Sequence, residues 1–161
     1  MDDRTSEPLL REVMACLPTG VTVVAACDTD GEPYGLTVSS FTSVSLEPPL
    51  VLVCIGHRSS SHDRLVGGDS FSINLLSAEQ EAVALRFARE PSQGRFDDVD
   101  WAPSPSGAPI LAGTTAWIDC CLGEVLTAGD HSILLGRVES SGLTDRPALV
   151  FHRGRMGSTG A

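Results

Sequence analysis

Hydroxyl side chains crowd into residues 37–45 of a segment that otherwise reads as β-strand, and they are the first groups here that could bind a polar ligand. They are Thr37, Ser39, Ser40, Thr42, Ser43 and Ser45. Serine is a poor strand former, and polar groups on a sheet need partners. Two interpretations are open: a hairpin with a solvated face, or a ledge of small side chains on which a flat, polar ring can lie.

The next segment, "GHRSSSHDRLV" at residues 56–66, could bind an anion. A strand is predicted to end at Gly56 and a short helix to begin in the serines, so that unpaired amides and hydroxyls could face a phosphate. Arg58 would add a guanidinium with two parallel donors. The alternative is a serine cap beside an exposed arginine. A ring at residues 37–40 and a phosphate at residues 58–62 would together describe a mononucleotide.

Several common catalytic motifs are absent from the sequence. It has neither GxGxxG nor GxxxxGK[ST], which disfavours a Rossmann or P-loop enzyme, and it has no HExxH. The spacing of His57, His62 and Asp63 matches no closed zinc site, so no metal is expected. Serines 59–61 precede His62, but without a GxSxG elbow a serine hydrolase is not favoured.

The composition of the chain argues against some classes of binding partner and favours others. The 161 residues carry a formal net charge of −10, which disfavours nucleic-acid binding. No apolar run reaches the roughly 18 residues of a membrane helix, and the acidic start "MDDRTSEPLL" is unlike a signal peptide. Five cysteines without a CxxC pair are read as reduced packing residues of a cytoplasmic protein. The 42% hydrophobic content favours an oligomer that hides part of the surface.

The elements that must position these groups are mostly strands. Strands are predicted at 21–27, 33–41, 50–56, 70–76, twice within 114–143 around a turn at 128–130, and at 148–153. Helices are predicted at 6–17 with Ser6 as the N-cap, briefly before Gly67, and at 77–90 with Ser77 as the N-cap and Pro91 as the stop. Residues 91–113, rich in Pro, Ser and Gly, are predicted to form a long loop.

Short connections between the strands favour a mainly antiparallel sheet. We therefore expect a mainly β fold, an antiparallel closed or nearly closed barrel with a few peripheral helices. The chain is predicted to form a single domain over residues 1–161, with loose tails at 1–5 and 157–161.

Segments spread over residues 9–156 resemble the short-chain flavin reductase family, the reductase halves of two-component flavin monooxygenases. The matching pieces, in order, are "LPTGVTVVAA", "GLTVSSFTSVSLEPPLVLVCI", "RSSSHDRL", "FSINLLSAEQEAVALRFA", "RFDDVDW", "GAPILAG", "AWIDC", "AGDHSILLGRV" and "ALVFHRGRM". The order of the set, with "TVSSF" and "GDH", makes the resemblance specific.

This resemblance implies a split β-barrel, a homodimer, and reduction of FMN or FAD by NADH or, less favoured, NADPH. Reduced flavin would pass to a separate monooxygenase. The flavin site would comprise Thr37, Val38, Ser39, Ser40, Cys54, Ile55, Arg58, Ser59, Ser60, Ser61, His62, Asn74 and Leu75. The nicotinamide nucleotide would meet Pro18, Thr19, Gly20, His131 and Arg155.

Hydride transfer to a flavin needs placement more than acid–base help, so no obligatory general base is expected. His131 is a candidate for positioning the nicotinamide, or it caps a turn; Asn74 either lies near the flavin or bonds the barrel backbone. After "HRG" the family usually has a basic residue and then an aromatic, whereas Arg155 is followed here by Met156. A non-catalytic flavin- or haem-binding barrel is the main alternative, and a pyridoxamine-phosphate-oxidase-like enzyme is a weaker one.

Overall fold

The structure is a computed structural model that describes residues 7–89 and 94–160. Its helices are α1 (Glu7–Ala15), α2 (His62–Val66) and α3 (Glu81–Ala88), with a 3₁₀ turn at Ala78–Gln80. Its strands are β1 (Thr19–Gly20), β2 (Thr22–Cys27), β3 (Pro33–Val38), β4 (Phe41–Leu46), β5 (Pro49–Gly56), β6 (Ser70–Leu75), β7 (Trp101–Pro103), β8 (Pro109–Leu111), β9 (Ala116–Ala128), β10 (His131–Leu143), β11 (Leu149–His152) and β12 (Arg155–Ser158).

Strands β3 and β4 lie at opposite edges of the main sheet, although only Ser39 and Ser40 connect them. The seven strands have the order β3-β2-β6-β9-β10-β5-β4, and all their pairings are antiparallel. Laid flat, such a sheet would separate its edges by about 29 Å, whereas the link spans at most about 11 Å. The sheet must therefore roll into a barrel, and the expected mainly β, antiparallel fold is confirmed.

Strand β2 is buried on both faces, which explains its continuous apolar sequence. Val24 faces the barrel interior with Ile55 and Phe71. Val23 and Ala25 face a second core outside the barrel. Because successive side chains point to opposite faces of a strand, β2 forms a wall shared by the two cores.

The second core is covered by α3. Ser77 precedes this helical segment, and its capping box with Gln80 confirms the predicted N-cap. Ala84 and Phe87 pack into this core, and the Phe87 ring meets Phe96 edge to face at 4.8 Å. The predicted stop at Pro91 lies outside the described residues.

Helix α1 agrees with the predicted helix over 6–17, and Ser6 lies outside the described residues. None of its residues is buried. Large apolar side chains of this segment are exposed by 47–58%: Leu9, Leu10, Val13, Met14 and Leu17. Its end is held by the Arg153 amide, which donates to the Ala15 carbonyl at 3.0 Å, and by the Arg153 guanidinium, which contacts Cys16 Sγ at 3.2 Å.

Three strand regions differ from the expectations. Strand β4 forms from serine-rich sequence on an exposed edge, and β7 pairs with β8 inside the predicted loop 91–113. The prediction that a loose tail begins at residue 157 was wrong, because β12 pairs Gly157 with Val150 and Ser158 with Leu149. A turn at Arg153 and Gly154, both with positive φ, returns the chain for this pairing.

The five cysteines are free, as predicted. No helix in the described part of the chain is both long and apolar enough to cross a membrane.

Candidate functional site

A cavity of about 650 Å³ lies between α1 and the corner where β3 turns into β4. Its lining combines small hydroxyl residues with apolar ones: Arg11, Met14, Ala15, Leu17, Thr19, Ser39, Ser40, Phe41, Thr42, Leu52, Cys54 and Phe151. The volume falls within the range of about 300–1,000 Å³ usual for ligand pockets. A small-residue ledge beside an apolar wall fits a flat heteroaromatic ring.

The floor of this cavity is fixed by Ser40 and Cys54. The Ser40 hydroxyl donates to the Cys54 carbonyl at 2.9 Å, and the Cys54 amide donates to the Ser40 carbonyl at 3.1 Å. The Ser39 side chain is exposed and makes no competing hydrogen bond among the described residues. This corner therefore presents a ledge of defined shape.

Three other predicted ring contacts direct their side chains elsewhere. The Thr37 hydroxyl donates to the Ala84 carbonyl of α3 at 2.6 Å. Val38 and Ile55 are buried in the barrel core. These residues shape the ledge from behind.

The predicted phosphate segment forms a tight turn between β5 and α2. The Ser59 amide donates to the Gly56 carbonyl at 3.0 Å, and the His62 amide donates to the Ser59 carbonyl at 3.1 Å. The Ser61 amide bonds Ser59 Oγ at 3.3 Å. Helix α2 has only five residues and no side-chain cap. The backbone amides that were expected to be free to bind a phosphate are therefore largely hydrogen-bonded within the turn.

Arg58 is the outward-facing charge of this turn. It is exposed and forms no hydrogen bond or ion pair with any residue that the structure describes. Ser59 is half-buried and Ser60 is exposed. In contrast, the Ser61 side chain is buried and donates to the Gly35 carbonyl at 3.3 Å. Arg58 is therefore the charged group of this turn that is open to a phosphate.

His62 also turns inward. Its Nδ1 lies 2.7 Å from Asp63 Oδ1, and its Nε2 lies 2.9 Å from Ser132 Oγ. Ser132 is only 4% exposed on β10 and also contacts His57 Nε2 at 3.3 Å. Although Asp63, His62 and Ser132 resemble a hydrolytic triad, the buried hydroxyl leaves no room for a substrate at the nucleophile.

His131 stands at the start of β10, opposite Gly56 on β5. Its Nδ1 lies 2.7 Å from Asp130 Oδ1, and this hydrogen bond holds the pKa of that carboxyl below its usual value. A Cβ at Gly56 would lie 3.5 Å from the imidazole, an ordinary van der Waals contact, so the ring packs directly over this position. His131 does not line the ledge cavity.

A second cavity of about 430 Å³ adjoins the first and contains the predicted nicotinamide-side residues Pro18, Thr19 and Gly20. Leu75, Ser39 and Phe41 also line it. Thr19 Oγ1 is buried without a hydrogen-bond partner among the described residues. An unpaired buried hydroxyl is unfavourable by about 1–3 kcal/mol, which marks Thr19 as a group that a ligand could satisfy.

Asn74 and the end of the chain occupy structural positions. Asn74 is fully buried; its amide donates to the Pro109 carbonyl at 3.1 Å, and its oxygen accepts from the Leu111 amide at 2.8 Å. This favours the alternative that Asn74 bonds the backbone.

Arg155 is exposed, and Met156 packs against the second core rather than lining either cavity.

Sequence reasoning missed part of the cavity wall and the surroundings of His62. Leu52 alternates with Cys54 along β5, and that strand periodicity was the available signal for it; Phe41 and Thr42 directly follow the ledge serines. Ser132 lies 70 positions from His62, and no sequence signal connects them. In the described ranges 7–89 and 94–160, no three metal-ligating side chains converge.

Comparison with known proteins gives a consistent result. The family model for the flavin reductase like domain matches residues 14–160. The reductase subunit of stachydrine N-demethylase from Rhizobium meliloti is 47% identical over 137 residues, covering 83% of this chain and 59% of the relative. An NADH-dependent FAD reductase from Streptomyces globisporus is 43% identical, covering 91% and 82%. The chain spans about half the length of several of these relatives.

Solved structures show the same family relationship. The NADH:FAD oxidoreductase of Streptomyces globisporus C-1027 superimposes with a TM-score of 0.90 at 40% identity, covering 98% of this chain and 94% of that one. A second structure of that enzyme is a complex with NAD and FAD fragments. The match over residues 14–160 and the shared fold show that this chain belongs to the flavin reductase like domain family.

Proposed function

We propose that the chain is an NADH:flavin oxidoreductase that reduces FMN or FAD and supplies the reduced flavin to a separate monooxygenase. The observation that carries this proposal is the placement of the ledge and the turn at one end of β5. Cys54 lines the ledge cavity, and Arg58 follows four residues later with a free guanidinium. Four residues reach at most about 14 Å, which suits a ring joined to a phosphate by a short chain.

In this proposal the protein contributes binding and orientation. Ser39 and Ser40 leave room for the ring, while Leu52 and Phe151 supply apolar contact. Arg58 and the hydroxyl hydrogen of Ser59 hold the phosphate. When bound, the flavin supplies the chemistry by accepting a hydride from the reduced nicotinamide.

The nicotinamide nucleotide enters from the side of Thr19 and His131. The Thr19 hydroxyl, which has no partner among the described residues, offers a hydrogen bond to a carboxamide, and the exposed His131 imidazole at the start of β10 is a second candidate contact. The described residues near both cavities form no cluster of arginines suited to a 2′-phosphate, which favours NADH over NADPH. The relative from Streptomyces globisporus, described as an NADH-dependent FAD reductase, supports the same choice.

The protein acts as a cytoplasmic homodimer in this proposal. The exposed apolar residues of α1 are the surface that a second copy covers, because a stripe of this size is unfavourable in water. Helix α1 also forms one wall of the ledge cavity, so the partner would stiffen that wall. A flavin-dependent trigonelline monooxygenase reductase component from Acinetobacter baylyi, 43% identical, supports transfer of flavin to an oxygenase.

Steady-state oxidation of NADH and NADPH, followed at 340 nm with FMN, FAD and riboflavin, tests this function. We expect turnover with NADH and at least one of FMN and FAD. A protein that binds flavin tightly but is not reduced by either nucleotide would instead be a non-catalytic flavin-binding barrel. Absence of turnover with every combination contradicts the proposal.

A further inference from the structure

Four side chains form a continuous hydrogen-bonded chain behind the phosphate turn. Asp63 bonds His62, His62 bonds Ser132, and Ser132 bonds His57, with the distances given above. The His62 side chain is only 12% exposed, while that of Asp63 is 99% exposed. The two imidazole rings meet edge to face with their centroids 5.0 Å apart.

The direction of each hydrogen bond follows from counting protons. A neutral His62 that donates from Nδ1 to the Asp63 carboxylate has an unprotonated Nε2, which must accept from the Ser132 hydroxyl. The Ser132 oxygen is then left to accept from His57 Nε2–H. Every group in the chain is satisfied when both imidazoles are neutral.

One added proton fits this arrangement and a second does not. A proton on His62 Nε2 makes an imidazolium facing Asp63, and Ser132 can accept from both rings. Protonating His57 as well would place two cations 5.0 Å apart, which is unfavourable. The other charged or titratable groups around the cluster are Arg58 on the turn, and Asp130 with His131 beside β10.

We propose that His62 is a positioning residue that takes up a proton when the flavin phosphate binds, so that the cluster adds a second positive charge behind Arg58. This inference rests on the proposed function, because it locates the phosphate beside Arg58. A phosphate dianion stabilises the imidazolium, and by linkage the imidazolium strengthens phosphate binding. The proton uptake on FMN binding is therefore larger when this imidazole is present than when it is removed, whereas riboflavin binding lacks this uptake.

Calorimetric titration with FMN near pH 6.5, in two buffers of different ionisation enthalpy, measures the protons exchanged on binding. The FMN phosphate has its own ionisation near pH 6, but this contribution is the same for every variant. We expect wild type to take up more protons than His62→Gln, by up to about one proton. His152→Gln, which removes an exposed imidazole on β11, is the matched control and should behave as wild type.

Riboflavin binding and two further variants distinguish failure of this inference from failure of the proposed phosphate site. Riboflavin should show no difference between wild type and His62→Gln. Asp63→Asn, a change at an exposed side chain that removes the carboxylate facing the imidazolium, should reduce the proton uptake without affecting folding. Equal proton uptake by wild type and His62→Gln, with Arg58→Ala still selectively weakening FMN, would overturn this inference alone. Failure of the protein to bind FMN at all would overturn the proposed site as well.

Discussion

Ser40 and Cys54 are joined by a reciprocal pair of hydrogen bonds, hydroxyl to carbonyl at 2.9 Å and amide to carbonyl at 3.1 Å. The pair closes the corner between β3 and β4 onto β5. It thereby fixes the ledge and points the Cys54 side chain into the cavity, where it can report on occupancy.

Alkylation of Cys54 should be slowed by bound flavin. We expect iodoacetamide labelling of Cys54, followed by peptide mass spectrometry, to fall at least several-fold when FMN saturates the protein. Cys27 and Cys121, which are half-buried and line neither the ledge cavity nor its neighbour, serve as internal controls. Cys120 should stay unlabelled until the protein unfolds, because burial raises its pKa to about 12. Equal labelling of Cys54 with and without FMN would argue against the ledge.

Substitution of Arg58 should separate phosphorylated from unphosphorylated flavins. Loss of a charge-assisted hydrogen bond is worth about 1.5–3 kcal/mol, so Arg58→Ala should weaken FMN about 10- to 100-fold and leave riboflavin nearly unchanged. Fluorescence titration of both flavins provides the measurement. Arg146→Ala removes another exposed guanidinium, one paired with Glu79 at 2.8 Å, and is the control. An equal loss for FMN and riboflavin would show that Arg58 does not bind phosphate.

The Thr19 hydroxyl should contribute to nucleotide binding and not to stability. Because this buried oxygen has no partner among the described residues, Thr19→Val should leave the free energy of unfolding unchanged or raise it by up to about 1 kcal/mol. The KM for NADH should nevertheless increase, and Thr19→Ser should restore it. Urea unfolding and steady-state kinetics test the two effects separately. A destabilised Thr19→Val protein would mean that the hydroxyl has a structural partner.

Asn74 should behave as a structural residue. Its fully buried amide connects β6 to the Leu111 amide and the Pro109 carbonyl on β8. Removing it leaves these groups unpaired and opens a cavity, so Asn74→Ala should lower the free energy of unfolding by about 2–4 kcal/mol. Flavin affinity at low temperature should change little. Thr127→Ala, at an exposed hydroxyl on β9 that lines neither cavity, controls for loss of a polar side chain; a selective loss of flavin affinity in Asn74→Ala would favour a direct contact.

The fold could be predicted where local sequence and burial agree. The β-branched segment at Thr22–Cys27 became β2, and Ser77 capped its helix. The strand predicted at 33–41 was wrong at its end, because the chain turns at Ser39 and Ser40 and continues as β4 on the edge of β5. Strand β12 was missed because its pairing with β11 depends on the turn at Arg153 and Gly154.

The candidate site was predictable to the level of segments but not of side-chain directions. The hydroxyl-rich corner and the serine turn were both identified from residue type. However, the turn uses Ser61 and His62 to attach itself to Gly35 and Ser132, and such distant partners cannot be read from spacing. The phosphate-binding role therefore falls mainly to Arg58.

The most direct test of the central claim is a crystal structure of the protein with FMN. The account predicts the flavin ring against Ser39, Ser40 and Cys54, with its phosphate within hydrogen-bonding distance of Arg58. A ring bound elsewhere, or a phosphate directed away from residues 58–60, would contradict it.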